Sequence, residues 1–137
     1  MTRAAVILVG ATLLAGCAFT NPGACTAIGY IYEADLQTSG DFATLEVCSG
    51  DECVVAGVEP APDATDGSLP MLYVNAGRDG HWAVGSIAGT LDSVTVRAYD
   101  TAGALLKEQD YGLEWTRTGG SEECGGPAET PPLSFDL

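Results

Sequence analysis

The sequence predicts an all-β domain, an antiparallel β-sandwich of about seven or eight short strands set behind an N-terminal signal helix. Three observations predict it. Beyond the first sixteen residues no stretch repeats apolar side chains at helical spacing, whereas period-two alternation recurs along the chain. Clusters of Gly, Pro, Asp, Asn and Ser separate the alternating runs. Five cysteines in 137 residues suit a small exported domain held by disulfides.

The N-terminus reads as a targeting segment. Arg3 supplies the positive start, Ala4 to Leu14 the apolar segment, and Ala15 and Gly16 the small residues before a cut. The run contains Gly10, Thr12 and Gly16 and falls short of the ~20 apolar residues that a transmembrane helix needs. Leu14-Ala15-Gly16-Cys17 is a lipobox, which implies acylation of the Cys17 sulfur and cleavage before it. A single myristoyl chain binds membranes only marginally, at about 10⁴ M⁻¹, so stable attachment calls for two or three chains on Cys17. The expected organisation is a signal peptide over residues 1–16, a lipid anchor and short tether over 17–26, and a β-domain over 27–137. The tether Ala18 to Ala24 reaches some 25 Å at most, at about 3.3 Å per residue, which keeps the domain close to the outer face of the cell membrane.

Charge narrows the partners. The chain holds 19 Asp and Glu against 5 Lys and Arg, a formal net charge of −14, and loss of Arg3 with the signal makes the mature domain one unit more acidic. Nucleic-acid binding needs clustered cations to neutralise phosphates, and this chain has none. Anionic head groups repel it as well, which leaves the lipid anchor as the source of membrane affinity.

With Cys17 assigned to lipid, Cys25, Cys48, Cys53 and Cys124 remain and predict two disulfides. Local geometry selects the pairing. In Cys48-Ser49-Gly50-Asp51-Glu52-Cys53, Gly50 suits the first central position of a two-residue type II′ turn. Cys48 then faces Cys53 in a non-hydrogen-bonded pair with Cα atoms about 4.5 Å apart, within disulfide range. Cys25 and Cys124 are left to close nearly the whole domain, and that long bridge is expected to be the main staple. Metal ligation by these thiols has little support, because the spacing is not that of a zinc site and His81 is the only histidine.

The strands follow in order. Ala27 to Leu36 alternates, with Ile28, Tyr30, Tyr32, Ala34 and Leu36 on one side and Glu33 and Asp35 on the other, and Thr38-Ser39-Gly40-Asp41 makes a turn. Phe42 to Cys48 pairs with Cys53 to Gly57, placing Leu45, Val47, Val54 and Ala56 on one face and the disulfide with Glu46 on the other. Glu59 to Leu69 reads as a loop. Met71 to Val74 and His81 to Ile87 are strands around an Asn75–Gly80 turn, and Trp82 is expected at the centre of the core. Ser93 to Tyr99 is the cleanest strand, with Val94, Val96 and Ala98 inward. The strand beginning at Ala104 loses parity near Asp110 to Gly112, which predicts a bulge or break before Leu113 and Trp115. A Gly-rich loop carrying Cys124 leads to a final strand, Leu133 to Leu137, expected to lie centrally enough to hold the C-terminus.

The runs Val94 to Asp100 and Thr101 to Leu105 resemble the late hairpin of bacterial immunoglobulin-like and fibronectin-like domains. Ala24-Cys25-Thr26-Ala27-Ile28-Gly29 after a lipobox, with Glu114-Trp115-Thr116-Arg117 and Cys124-Gly125-Gly126-Pro127, is similar to a group of small actinobacterial-type lipoproteins with no assigned activity. The resemblance implies an immunoglobulin-like sandwich and an envelope location, and it carries over no catalytic residue.

The chemistry-bearing residues therefore stand on their own. His81, beside Trp82 and downstream of Asp79, is the candidate acid/base group of a small envelope hydrolase, although no nucleophile-elbow pattern accompanies it. Glu59, Asp63 and Asp66 share one acidic loop, 59–69, which could bind calcium, but without EF-hand spacing. No cofactor motif is present. The expected role is a non-catalytic binding or accessory module of the cell envelope, tethered to the membrane and open to a protein or glycan partner.

Overall fold

The computed structural model describes residue 25, residues 29–58 and residues 71–137. The signal segment, Cys17, the tether and the acidic loop 59–69 lie outside the described residues. Ten strands occur among the described residues: β1 (Glu33–Ser39), β2 (Thr44–Ser49), β3 (Glu52–Val55), β4 (Leu72–Ala76), β5 (His81–Ser86), β6 (Ser93–Tyr99), β7 (Leu105–Gly112), β8 (Thr116–Arg117), β9 (Ala128–Glu129) and β10 (Leu133–Asp136). One four-stranded sheet has the order β10-β1-β5-β4 and the other β3-β2-β6-β7, with β8 and β9 forming a separate two-stranded ribbon. The described residues are all-β and their two sheets pack as a sandwich, as the alternation predicts. Among the described residues no helix is long and apolar enough to cross a membrane.

Parity dictates the core. Ala34 and Leu36 of β1, Leu45 and Val47 of β2, Leu72 and Val74 of β4, and Val94, Val96 and Ala98 of β6 all point inward and are buried. Each of these strands therefore offers one apolar face, and stacking the two faces removes both from water. Phe135 on β10 is the largest fully buried side chain, and the tryptophans lie at the periphery of the cluster. The expectation of Trp82 at the centre is corrected here: it faces inward from β5 but at the rim, with its Nε1 donating to Thr38 Oγ1 at 3.1 Å. An indole needs a partner for its N–H, which a rim position supplies and an apolar centre does not.

Several strand limits differ from the sequence expectation, each for a tertiary reason. β1 begins at Glu33, because β5 offers no partner beyond the Glu33↔Gly85 pair and Tyr32 turns away to donate to the Gly126 carbonyl at 3.0 Å. At its other end β1 continues to Ser39, through the residues expected to form a turn, because β10 pairs with it there. That pairing is parallel, so the sandwich is not wholly antiparallel. β10 occupies an edge of its sheet, where a central position was expected. β7 ends at Gly112, so the strand does break before Leu113, but no parity is lost at Asp110 to Gly112: the register shift lies instead between Ala98 and Tyr99, opposite the first residues of β7. The extra residue leaves Leu105 and Leu106 both exposed and turns Lys107, Gln109 and Tyr111 toward the core face.

That inward polar row closes one side of the sandwich. Lys107 Nζ sits 4.9 Å from the centroid of the Phe135 ring and donates to the Asp136 carbonyl, while Tyr111 donates its hydroxyl to the Ser134 carbonyl. These donors occupy carbonyls on the open edge of β10 and block further strand pairing there.

Both bridges have the predicted connectivity. Cys48 pairs with Cys53 across the β2–β3 hairpin with Cα atoms 4.0 Å apart, on the outer face of its sheet. Gly50 takes φ of 59° at the first turn position, as a type II′ turn requires. Cys25 joins Cys124 with a sequence separation of 99. Trp115, just before β8, packs edge-to-face on Tyr32 at 5.9 Å and donates to the Leu91 carbonyl at 2.7 Å, which moors the β8–β9 ribbon to the sandwich.

Candidate functional site

The outer face of the β10-β1-β5-β4 sheet concentrates the polar chemistry. Because Ala34 and Leu36 point inward, Glu33, Asp35 and Gln37 must point outward. The ladder sets their neighbours: Gln37 opposes His81, Asp35 opposes Ala83, Glu33 opposes Gly85, and Gly85 in turn opposes Tyr73. His81 reaches diagonally to Asp35, with Nδ1 3.0 Å from Oδ1 and 3.2 Å from Oδ2. Gln37 Nε2 donates to Oδ2 of the same carboxylate at 2.8 Å. The Gln37 amide does most to hold the Asp35 carboxyl below its usual value; burial opposes it, and the hydrogen bond and charge of the His81 ring lower it further.

One row further down, Tyr73 donates its hydroxyl to Glu33 Oε1 at 3.1 Å. Its ring crosses Gly85, where a Cβ would overlap Tyr73 Oη and Cζ and crowd the Tyr32 carbonyl. Partial burial, with the Glu33 carboxylate beside it, pushes Tyr73 up to about 12. Gly85→Ala is therefore expected to expel the ring and cost about 1–3 kcal/mol, as overpacking does, read as a lower urea midpoint. Tyr73→Phe gives the pH counterpart. A folded-state value above the unfolded one near 10 means the stabilisation is complete below pH 10 and is lost as pH rises toward 12. In a phenolate absorbance titration, the variant should lack the component of highest pH that the parent shows.

Below this row apolar side chains join the polar ones. Tyr30, Ile31, Glu33, Tyr73, Asn75 and Ile87 line a groove of about 430 Å³, in which Ile31 is 78% and Ile87 62% exposed. A smaller depression of about 280 Å³ lies over Asp35, His81 and Ala83. The face thus alternates carboxylates and amide groups with tyrosine and isoleucine surfaces, a mixture able to hold a ligand with both polar and apolar sides.

For the enzyme alternative, the structure supplies His81 with an acid, but it is Asp35 and not the neighbouring Asp79. Asp79 sits in the preceding turn with φ of 49°. The His81 and Asp35 side chains are 49% and 44% exposed, and among the described residues no hydroxyl or thiol is hydrogen-bonded to the imidazole. The outward parity of Asp35 was visible in the sequence. Its meeting with His81, 46 positions away, depends on ladder register and was not.

Glu46, Cys48 and Cys53 bring potential ligand atoms within 4.8 Å of one another on the opposite sheet. Both sulfurs there are bonded to each other and not thiolates, the form that ligates metals. The calcium candidates Glu59, Asp63 and Asp66 lie outside the described residues. Comparison with known proteins finds no matching family model, no matching curated protein and no matching solved structure.

Proposed function

We propose that the chain is a lipid-anchored lipoprotein of the extracytoplasmic membrane face, acting as a non-catalytic binding or accessory module of the cell envelope. The observation that carries this reading is the Cys25–Cys124 bridge, which fastens the start of the domain shortly after Cys17. Such a bridge belongs to an oxidising compartment, and the lipobox directs the chain to one. Lipid on Cys17 supplies membrane attachment, and the acidic domain remains soluble beside it. The partner face is the outer side of the β10-β1-β5-β4 sheet, suited to a protein or glycan surface with both polar and apolar groups.

An immunoglobulin-like sandwich is part of the proposal. The chain crosses between sheets from β1 to β2, from β3 to β4 and from β5 to β6, and forms hairpins at β2–β3, β4–β5 and β6–β7. That wiring is similar to the immunoglobulin type, with β10 in the place of a first strand. It departs from that type in that no disulfide joins the two sheets among the described residues, since Cys48 and Cys53 share one sheet.

Intact-mass analysis of membrane-extracted protein tests the reading. A diacylglyceryl group on Cys17 together with both bridges is the expected result, and Cys17→Ala should move the protein to the soluble fraction. A mature protein with unmodified Cys17 overturns it. The Asp35–His81 contact favours a small hydrolase as the second reading. Hydrolysis of ester or glycoside substrates that disappears in His81→Ala would carry that reading over the first.

A further inference from the structure

The hairpin disulfide stands apart from the candidate binding face, and its two sulfurs occupy unlike surroundings. Cys48 is 4% exposed, whereas Cys53 is open to solvent. Arg97 Nη1 lies 3.4 Å from Cys48 Sγ. Two carboxylates hold that guanidinium in place: its Nε donates to Glu108 Oε2 at 2.6 Å, and Nη1 donates to Glu46 Oε2 at 3.3 Å. Glu46 Oε2, itself 3.9 Å from Cys48 Sγ, also accepts the Tyr99 hydroxyl at 3.0 Å.

We infer that Cys48–Cys53 is a thiol–disulfide exchange site, in which the exposed Cys53 sulfur receives an incoming thiolate and the buried Cys48 sulfur departs beside Arg97. Access selects the sulfur that is attacked, and stabilisation of the departing thiolate sets how fast it leaves. The cation nearest Cys48 serves that second need. Glu46 and Glu108 oppose it, but the Glu46 oxygen closest to the sulfur already accepts from both Arg97 and Tyr99, which draws its charge away from Cys48. The inference goes beyond the anchored-module reading and does not depend on Cys17.

The co-reactant is an extracytoplasmic dithiol. Its first thiolate bonds to Cys53 Sγ while the Cys48–Cys53 bond breaks, and the electron pair stays on Cys48. Its second thiolate then attacks the reductant sulfur of the mixed disulfide and releases Cys53. Two electrons pass to the protein, and the two protons lost by the reductant end on Cys48 and Cys53. The reverse sequence oxidises an external dithiol. The ladder keeps the reduced pair ready for this return, because Val47↔Val54 and Ser49↔Glu52 flank the cysteines in register. The Cys25–Cys124 bridge takes no part and continues to close the domain.

The test treats the purified full chain with limiting glutathione, traps free thiols by alkylation and maps the products by mass. Glutathione is expected on Cys53, with Cys48 alkylated and Cys25–Cys124 intact. Arg97→Gln should slow the opening about threefold, from roughly half a log unit of rate per pKa unit of the participating thiol. Arg97→Lys should restore most of the rate, and urea midpoints of both variants show that each remains folded. Glutathione on Cys48, an unchanged rate in Arg97→Gln, or simultaneous opening of both bridges overturns the inference.

Discussion

Replacing Cys25 and Cys124 together by serine is expected to cost about 4.7 kcal/mol, the loop-closure entropy of a ring of ~100 residues. The bridge spans a sequence separation of 99, so it restrains almost the whole unfolded chain. In the folded protein its removal changes little, because the Tyr32–Trp115 packing and the Tyr32 bond to Gly126 still moor the ribbon. Most of the loss should therefore come from a more expanded unfolded state. Urea denaturation of parent and double variant reads both parts: a lower midpoint and a larger m-value. The hairpin bridge, at a separation of 5, provides the internal comparison and should contribute about 2 kcal/mol. Equal losses from removing either bridge would show that loop length is not what governs their effects.

Phe135→Ala should destabilise the domain by about 3–5 kcal/mol, the range for truncating a buried aromatic ring. Phe135 is fully buried although it sits on an edge strand, because β10 lies over the core with Leu133 and Phe135 both inward. Truncation opens a cavity and removes the ring beneath Lys107. Phe135→Leu keeps most of the volume and should cost less than about 1.5 kcal/mol. Trp82→Phe makes the contrast. At the rim it forfeits chiefly the Thr38 hydrogen bond, worth about 1 kcal/mol. A Trp82→Phe loss exceeding that of Phe135→Ala would relocate the centre of the core.

The hairpin at Cys48–Cys53 was readable because everything that specifies it is local: a turn glycine, two flanking pairs and an alternating face on each side. β6 was readable for the same reason, with Val94, Val96 and Ala98 at strict period two. β7 misled because its inward residues are polar. Lys107 and Tyr111 are satisfied by carbonyls of β10, a strand that the sequence does not place beside them. β8 and β9, two residues each, carry too short a pattern to detect within a Gly-rich loop. On the candidate site, the outward direction of Glu33 and Asp35 was legible and their partners Tyr73 and His81 were not.

By itself the sequence determined the fold class, both disulfide pairings, and the side of the sheet to which most strand residues point. Those properties follow from backbone alternation, turn chemistry and cysteine parity, which act over a few residues or by simple pairing. Only the tertiary structure decided that β10 runs parallel to β1, that Phe135 rather than Trp82 fills the core, and that Asp35 meets His81. Register between strands distant along the chain is chosen by the joint packing of both sheets, so no local pattern encodes it.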